Sequence, residues 1–271
     1  MVRFREEDEH ETEIAQQTLE RYSGSDRDSF CSHLILTNFS RYIRNFADLY
    51  QVPLIEGSMF STAHVPDLDI SIIDFKLGSA AAALIIDLCA FLPKIQSVLL
   101  LGMCGGLRSH YKVGDYFLPL AGIRGEGASD FYFPPEVPAM ANFLIQKAAT
   151  NILDQANARY HIGISHTTNI RFWEFNDAFR EKLRETKAQA IEMECATLFA
   201  ASYRRKLPTG ALLLISDLPL TREGIKTKKS SRHIFDTYTD DHLKTGIQII
   251  EEVKKNLQHK AKGARRGTPD P

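Results

Sequence analysis

Apolar positions along this chain form two kinds of run, which alternate from end to end. Stretches of strand length appear in "HLILTNF" (33–39), "LDISIIDFKLGS" (68–79), "IQSVLLLGMCGG" (95–106), "RYHIGISHTTNI" (159–170) and "TGALLLISDLPL" (209–220). A strand that is apolar at consecutive positions is one covered on both faces. Between these runs the spacing turns helical. Tyr42, Phe46 and Leu49 mark one helix, "AAAALIIDLCAFLP" a buried one stopped at Pro93, and Ala196, Phe199, Ala200 and Tyr203 a third. "PPEVPAMANFLIQKAATNIL" (134–153) predicts a helix entered through prolines, "FNDAFREKLRET" a surface helix and "DTYTDDHLKTGIQIIEEVKKNL" a long closing helix. "KVGDYFLPLAGIRG" (112–125) reads as two short strands around a Gly-Asp turn, and "QAIEME" as extended. Strands alternating with helices predict an α/β fold around a parallel or mixed sheet. The domain boundaries expected are a helical extension over 1–30, a catalytic core over 31–253 and a basic flexible tail over 254–271.

Composition narrows the classes open to such a fold. The net charge of −1 creates no field toward nucleic acid or a membrane surface. Cys31, Cys89, Cys104 and Cys195 lack metal-ligand spacing and read as free thiols of a reducing compartment. The first residues, "MVRFREEDEHETE", are charged and carry no apolar signal core, and the apolar runs are too short for a bilayer span. The expectation is a soluble cytoplasmic protein.

Chemistry concentrates where strands end, the place where open α/β sheets bind ligands. "GMCGG" (102–106) brings backbone close to a ligand, at Cys104 and Gly105, but is neither a Walker A loop nor a dinucleotide fingerprint. Asp217 follows four apolar residues and Ser216, so its carboxyl is partly desolvated and suited to donate a proton near neutral pH, unless it caps a turn. In "AIEMECATLF" (190–199), Glu192 and Glu194 flank Met193 in an apolar setting. Either Glu194 favours the positive end of the following helix, or carboxylate and thioether hold a sugar. Arg41, Arg124 and Arg171, and with them Arg44, are candidates for an anionic group, since a guanidinium fork matches phosphate oxygens. One of Phe172, Trp173 or Phe175 can stack on a flat base.

Together these segments resemble the purine nucleoside phosphorylase and nucleosidase superfamily. Within it, "ILTNFSRYI", "IRGEGASDFYFPPEVPA", "TTNIRFWEF" and "ISDLPLTREGIKTKKS" are similar to the catalytic domains of the AMP nucleosidases over roughly residues 10–253. The resemblance implies a three-layer α/β/α fold with a central mixed sheet, and hydrolysis of AMP to adenine and ribose 5-phosphate without metal or cofactor. It casts Asp217 and Glu194 as catalytic residues, acting on the purine N7 and the ribose hydroxyls. Met193, Glu192, Ser216, Gly105, Cys104, Phe172 and Trp173 would contact ribose or base, and some of Arg41, Arg44, Arg124 and Arg171 the 5'-phosphate. Water would be the nucleophile, because Leu100 and Leu101 stand where phosphorylases of the superfamily hold inorganic phosphate with an arginine; Glu126 or Glu192 would activate it. A homohexamer is implied, with no nucleic-acid or membrane partner, and no room for the regulatory domain of longer AMP nucleosidases. The rival readings are a nucleosidase or phosphorylase of unphosphorylated nucleosides, and an AMP sensor without catalysis.

Overall fold

The structure, a computed structural model, describes residues 9–221, 224–225 and 227–264. Seven helices are found among them: α1 Glu9–Ser23, α2 Ser40–Tyr50, α3 Ser79–Ala90, α4 Phe143–Gln155, α5 Asp177–Glu185, α6 Cys195–Arg204 and α7 Lys228–Ala264. The strands are β1 His33–Thr37, β2 Ile55–Glu56, β3 Ser61–Val65, β4 Ile70–Asp74, β5 Ser97–Gly106, β6 Tyr116–Gly125, β7 Ala139–Met140, β8 Tyr160–Thr168, β9 Ala190–Glu192 and β10 Thr209–Asp217.

Three layers follow from the apolar alternation of the central strands. Leu34 and Leu36 of β1, Val98 and Leu100 of β5, and Leu213 and Ile215 of β10 pack into one core with α1, α3 and α6. The residues between them, Ile35, Leu99, Leu101, Leu212 and Leu214, pack into a second core with α2, α4 and α7. Two-sided burial is why these strands are apolar throughout.

The sheet is mixed, and part of it closes on itself. β5 runs parallel to β10, β10 antiparallel to β6, β6 parallel to β8, β8 parallel to β9, and β9 returns antiparallel to the far end of β5. From this ring β1, β4, β3 and β2 extend as an open wing. The ten residues of β5 allow both arrangements: its first half pairs with β1, Val98–Gly105 pair with β10, and its last two residues pair with β9.

Several local expectations needed revision. Residues 112–125 form one ten-residue strand, β6, after the Gly114–Asp115 turn, not two short strands. Pairing along its whole length with β8, past a bulge between Pro119 and Ala121, keeps it continuous. Helix α4 starts after the prolines: Asn142 caps it by accepting from the Leu144 N–H, and β7 precedes it. The short strands β2 and β3 had no clear pattern in sequence, being polar-rich strands of an antiparallel edge. Helix α7 begins eight residues before the expected start at Asp236 and runs on through 254–264, within the segment expected as a tail; residues 265–271 and 1–8 lie outside the described residues. Among the described residues no helix is long and apolar enough to cross a membrane.

Candidate active site

The centre of the site is the end of β5. Gly105 is paired on one side with Asp217 of β10 and on the other with Ile191 of β9. A Cβ at Gly105 would lie 2.9 Å from Pro219 Cγ and 3.1 Å from Ile191 Cγ2, so only glycine lets the three chains converge. The register of β10 on β5 slips between Ile215 and Asp217, and such a bulge re-aims the side chain that follows it. Ser216 Oγ, buried, lies 2.6 Å from Asp217 Oδ1 and 3.3 Å from the Cys104 carbonyl, so its hydroxyl proton can be donated to the carboxylate and hold its orientation.

One step further along the ring, Glu192 and Glu194 have different duties. Glu192 Oε2 accepts the N–H groups of Glu194 (2.7 Å) and Cys195 (2.6 Å), while Oε1 accepts the hydroxyls of Ser165 (3.0 Å) and Thr167. It is therefore Glu192 that caps α6. With four donors on its two oxygens it has no capacity left for a sugar hydroxyl or a proton from water, which corrects both expectations for it. Glu194 makes no side-chain cap bond, although it occupies the N-cap position. Its Oε1 accepts from the Gly78 N–H at 2.8 Å, and burial raises its pKa to about 7, with repulsion from Glu192 adding to the rise. The Gly78 amide and the Asn38 side chain pull the other way. A group poised in this range is the kind found where charge must be managed at a reaction centre.

Asp217, Glu194 and Met193 line a cavity of about 470 Å³, together with Cys104, Gly105, Ser216, Glu192, Trp173 and Arg171. Next to it lies a recess of about 420 Å³, lined by Ser40, Arg41, Arg44, Arg232 and Asp236 and sharing Asn38, Phe39 and Phe235 with the main cavity. The recess covers the start of α2, whose N-cap Phe39 supplies no side-chain cap; the Tyr42 N–H turns back to the Phe39 carbonyl at 3.0 Å, and the amides of Ser40 and Arg41 begin the helix. Arg44 bonds back to Ser40 Oγ at 3.0 Å, and Arg41 pairs with Asp236 of α7 at 3.6 Å, so both guanidinium groups stay at that end of the helix. A nucleoside-sized cavity thus opens onto a cationic recess.

Three expected residues do not reach these cavities. Arg124 is consumed by structure: it donates to Ser129 Oγ, to Asp130, and to the carbonyls of Phe133, Pro134 and Val137. All its donor positions are turned toward the 126–138 segment, and no phosphate can reach them. Phe172 is 73% exposed and lines neither cavity; its ring lies under Arg171 while the neighbouring Trp173 forms the wall. Glu126 accepts from Ser129 and Thr197 and lines neither cavity, so it does not meet the substrate's water. Arg171 lines the main cavity from the β8 side, paired with Glu174 at 3.2 Å, outside the arginine recess.

Asn38, Glu174 and Arg232 belong to the site and escaped the sequence reading. Asn38 and Glu174 sit at the ends of predicted strands or just beyond, a usable signal. Arg232 precedes the expected start of the last helix, and only that helix's packing across α2 brings it in.

With this geometry established, likeness to known proteins can be stated. Residues 34–256 match the phosphorylase superfamily. The AMP nucleosidase of Escherichia coli (strain K12) is 32% identical over 195 residues, covering 68% of this chain and 40% of that protein. The chain thus spans about two-fifths of the length of the curated AMP nucleosidases it matches. A guanosine phosphorylase of Halorubrum lacusprofundi is 25% identical over 147 residues, 54% of this chain and 60% of the relative. Among solved structures, AMP nucleosidase from Bacteroides thetaiotaomicron VPI-5482 superposes with a TM-score of 0.80 at 35% identity, covering 91% of this chain and 99% of that one. A uridine phosphorylase from Vibrio fischeri superposes with a TM-score of 0.75 at 17% identity, over 88% and 98% of the two chains, a likeness of fold alone. By its three-layer fold, the strand ends that meet at Gly105 and the match over most of its length, the chain belongs to the phosphorylase superfamily.

Proposed function

We propose that this protein hydrolyses the N-glycosidic bond of AMP, releasing adenine and ribose 5-phosphate. The observation that carries the reading is the arginine recess at the start of α2, continuous with the cavity that holds Glu194 and Asp217. A nucleoside would leave Arg41, Arg44 and Arg232 without work. A 5'-phosphate matches them and the helix start. The names of the AMP nucleosidases from E. coli and B. thetaiotaomicron agree with it.

In this reaction the bond between C1' and N9 breaks, the ribose ring becomes electron-poor and the purine electron-rich. Asp217 transfers a proton to N7, and Ser216 holds the carboxylate in line. Glu194 accepts ribose hydroxyls and stabilises the cationic sugar, with Met193 packed beneath it. A water oxygen bonds to C1' and its excess proton leaves to solvent. Water is favoured over inorganic phosphate because Leu100 and Leu101 are buried in β5 and offer no cation. Binding energy from the phosphate, remote from the broken bond, pays for orientation.

The chain works as a homo-oligomer, a hexamer in this reading. Leu120, Met140, Phe143, Ile162 and Ile164 are 41–79% exposed on neighbouring elements β6, β7, α4 and β8, an apolar surface that a second copy would cover. Four buried free cysteines fit the cytoplasm, and the two products fit purine salvage. One assay tests the activity: incubation with AMP or adenosine, with and without phosphate, followed by chromatography for adenine. Adenine and ribose 5-phosphate from AMP, independent of phosphate, is the expected result; a strict phosphate requirement, or cleavage of adenosine alone, overturns the reading.

A further inference from the structure

Of the four carboxylates among the described residues that line the main cavity, three are accounted for: Glu192 as cap, Glu194 at the sugar and Asp217 at N7. Glu174 is the fourth. It lies in the single turn Trp173–Phe175 between β8 and α5 and is 8% exposed. The turn is fastened by Asn176, whose N–H reaches the Trp173 carbonyl at 2.9 Å and whose side chain caps α5 through the Phe179 N–H at 3.0 Å. Glu174 Oε1 accepts from Arg171 at 3.2 Å, and Oε2 is buried with no hydrogen-bond partner among the described residues. Glu192, equally buried, has every acceptor position filled. A buried carboxylate oxygen without a donor is costly, and at the wall of a binding cavity the missing donor is a ligand's.

The position of Glu174 says which part of the ligand. The recess adjoins the end of β1, whereas Glu174 follows β8, and β5 and β9 lie between. Glu174 lines the main cavity and not the recess, so it stands on the side of the cavity away from the phosphate. Its neighbour Trp173 packs with Leu107 and Ile191, an apolar wall of the kind that takes a flat ring. We propose that Glu174 accepts a hydrogen bond from the 6-amino group of the purine and selects aminopurines over 6-oxopurines, whose O6 would oppose the carboxylate. This rests on the adenine-nucleotide reading above and adds to it the residue that identifies the base.

The test is a binding cycle that needs no turnover. Affinities of adenine, hypoxanthine and unsubstituted purine are measured by calorimetry on the intact wild-type chain, Glu174→Ala and Glu174→Gln. Wild type should bind adenine roughly 10- to 100-fold more tightly than purine, the range of one hydrogen bond to a charged group. That preference should vanish in Glu174→Ala, and in Glu174→Gln, whose amide can donate to O6, hypoxanthine should gain on adenine. If Glu174→Ala is unfolded by circular dichroism, the isosteric Glu174→Gln carries the comparison. An adenine-to-purine ratio unchanged by the substitutions, or no preference in wild type, overturns the proposal. Adenine release from AMP by wild type is scored separately: activity with an unchanged ratio sinks Glu174 alone, whereas a lost ratio without activity sinks the hydrolysis reading and leaves Glu174 standing.

Discussion

The backbone N–H of Gly78 donates to Glu194 Oε1 at 2.8 Å, linking the loop before α3 to the N-cap residue of α6. Gly78 adopts φ 97°, a region L side chains rarely enter, and a Cβ there would meet nothing within 4 Å. The glycine is needed for backbone shape, not for space, and that shape aims the amide at the carboxylate. Gly78→Ala should cost about 1–2 kcal/mol of stability through backbone strain. A backbone N–H no longer aimed at Glu194, whose pKa that bond lowers, should also move the acid limb of the activity profile to higher pH.

In the proposed reaction Glu194 sets that limb. Burial raises its pKa to about 7, and the ionised form is the one that stabilises a cationic ribose. Activity at low substrate concentration, which reports the free enzyme, should therefore rise with pH up to about 7. Glu194→Gln should reduce kcat by roughly 10²- to 10³-fold and abolish that limb. A limb that persists in the glutamine variant assigns it to another group.

Substitution of Glu192 should act in the opposite direction on the same profile. Repulsion from Glu192 raises the Glu194 pKa, so Glu192→Gln should shift the acid limb to lower pH. The change also removes a buried carboxylate from four donors, and should destabilise the fold by about 3 kcal/mol in urea unfolding. A variant that unfolds earlier but keeps its limb in place would show Glu192 to be a cap without electrostatic influence on Glu194.

Asp217→Asn should lower kcat by about 10²-fold or more while leaving AMP binding close to normal, because an amide cannot deliver the proton. Substrates whose base leaves readily without protonation should lose much less. Equal losses on both kinds of substrate would place Asp217 outside the proton path.

Arg41→Ala and Arg232→Ala should each raise KM for AMP by roughly 10-fold or more, with adenosine cleavage unchanged, since the lost contact is to a charged group. Arg124→Ala should differ in kind. Its donors hold Asp130 and three carbonyls of 133–137, so the measured loss should be in thermal stability and equal for both substrates.

Three histidines, His166 and His242 buried and His64 half-buried, predict acid sensitivity of the fold. Burial depresses the pKa of His64, His166 and His242 to about 4 in each case. The unfolded chain binds the proton first, near pH 6.5, so stability is full above that value and is lost as pH falls toward 4. Among the described residues His166 has no hydrogen-bond partner on either ring nitrogen, which makes it the cleanest probe. His166→Leu should remove about 2 kcal/mol of the loss between pH 6.5 and 5, read from urea midpoints. His242 should not be replaceable in this way, because it bridges the Tyr42 hydroxyl (2.7 Å) and the Leu212 carbonyl (3.0 Å).

What the sequence by itself determined about this protein is whatever one or two adjacent turns of chain decide. Apolar runs such as Val98–Leu101 and Leu212–Ile215 could only be strands covered on both faces, and the small or acidic residues that end them could only lie at the sheet's rim. Asp217, Gly105, Met193 and Glu194 were legible for that reason. Tertiary structure alone decided how the two acids of "IEME" divide their work: the turn after β9 directs Glu192 to the amides of α6 and leaves Glu194 at the cavity, a choice made by donors from β8 and the Gly78 loop. The arginines show the same limit. Arg41, Arg44 and Arg124 look alike in sequence, yet the first two share a recess with Arg232, nearly two hundred residues away, while Arg124 is occupied by its own loop. Local patterns specify burial and element type; which long side chain finds an anion depends on groups that meet only when the sheet closes and α7 crosses α2.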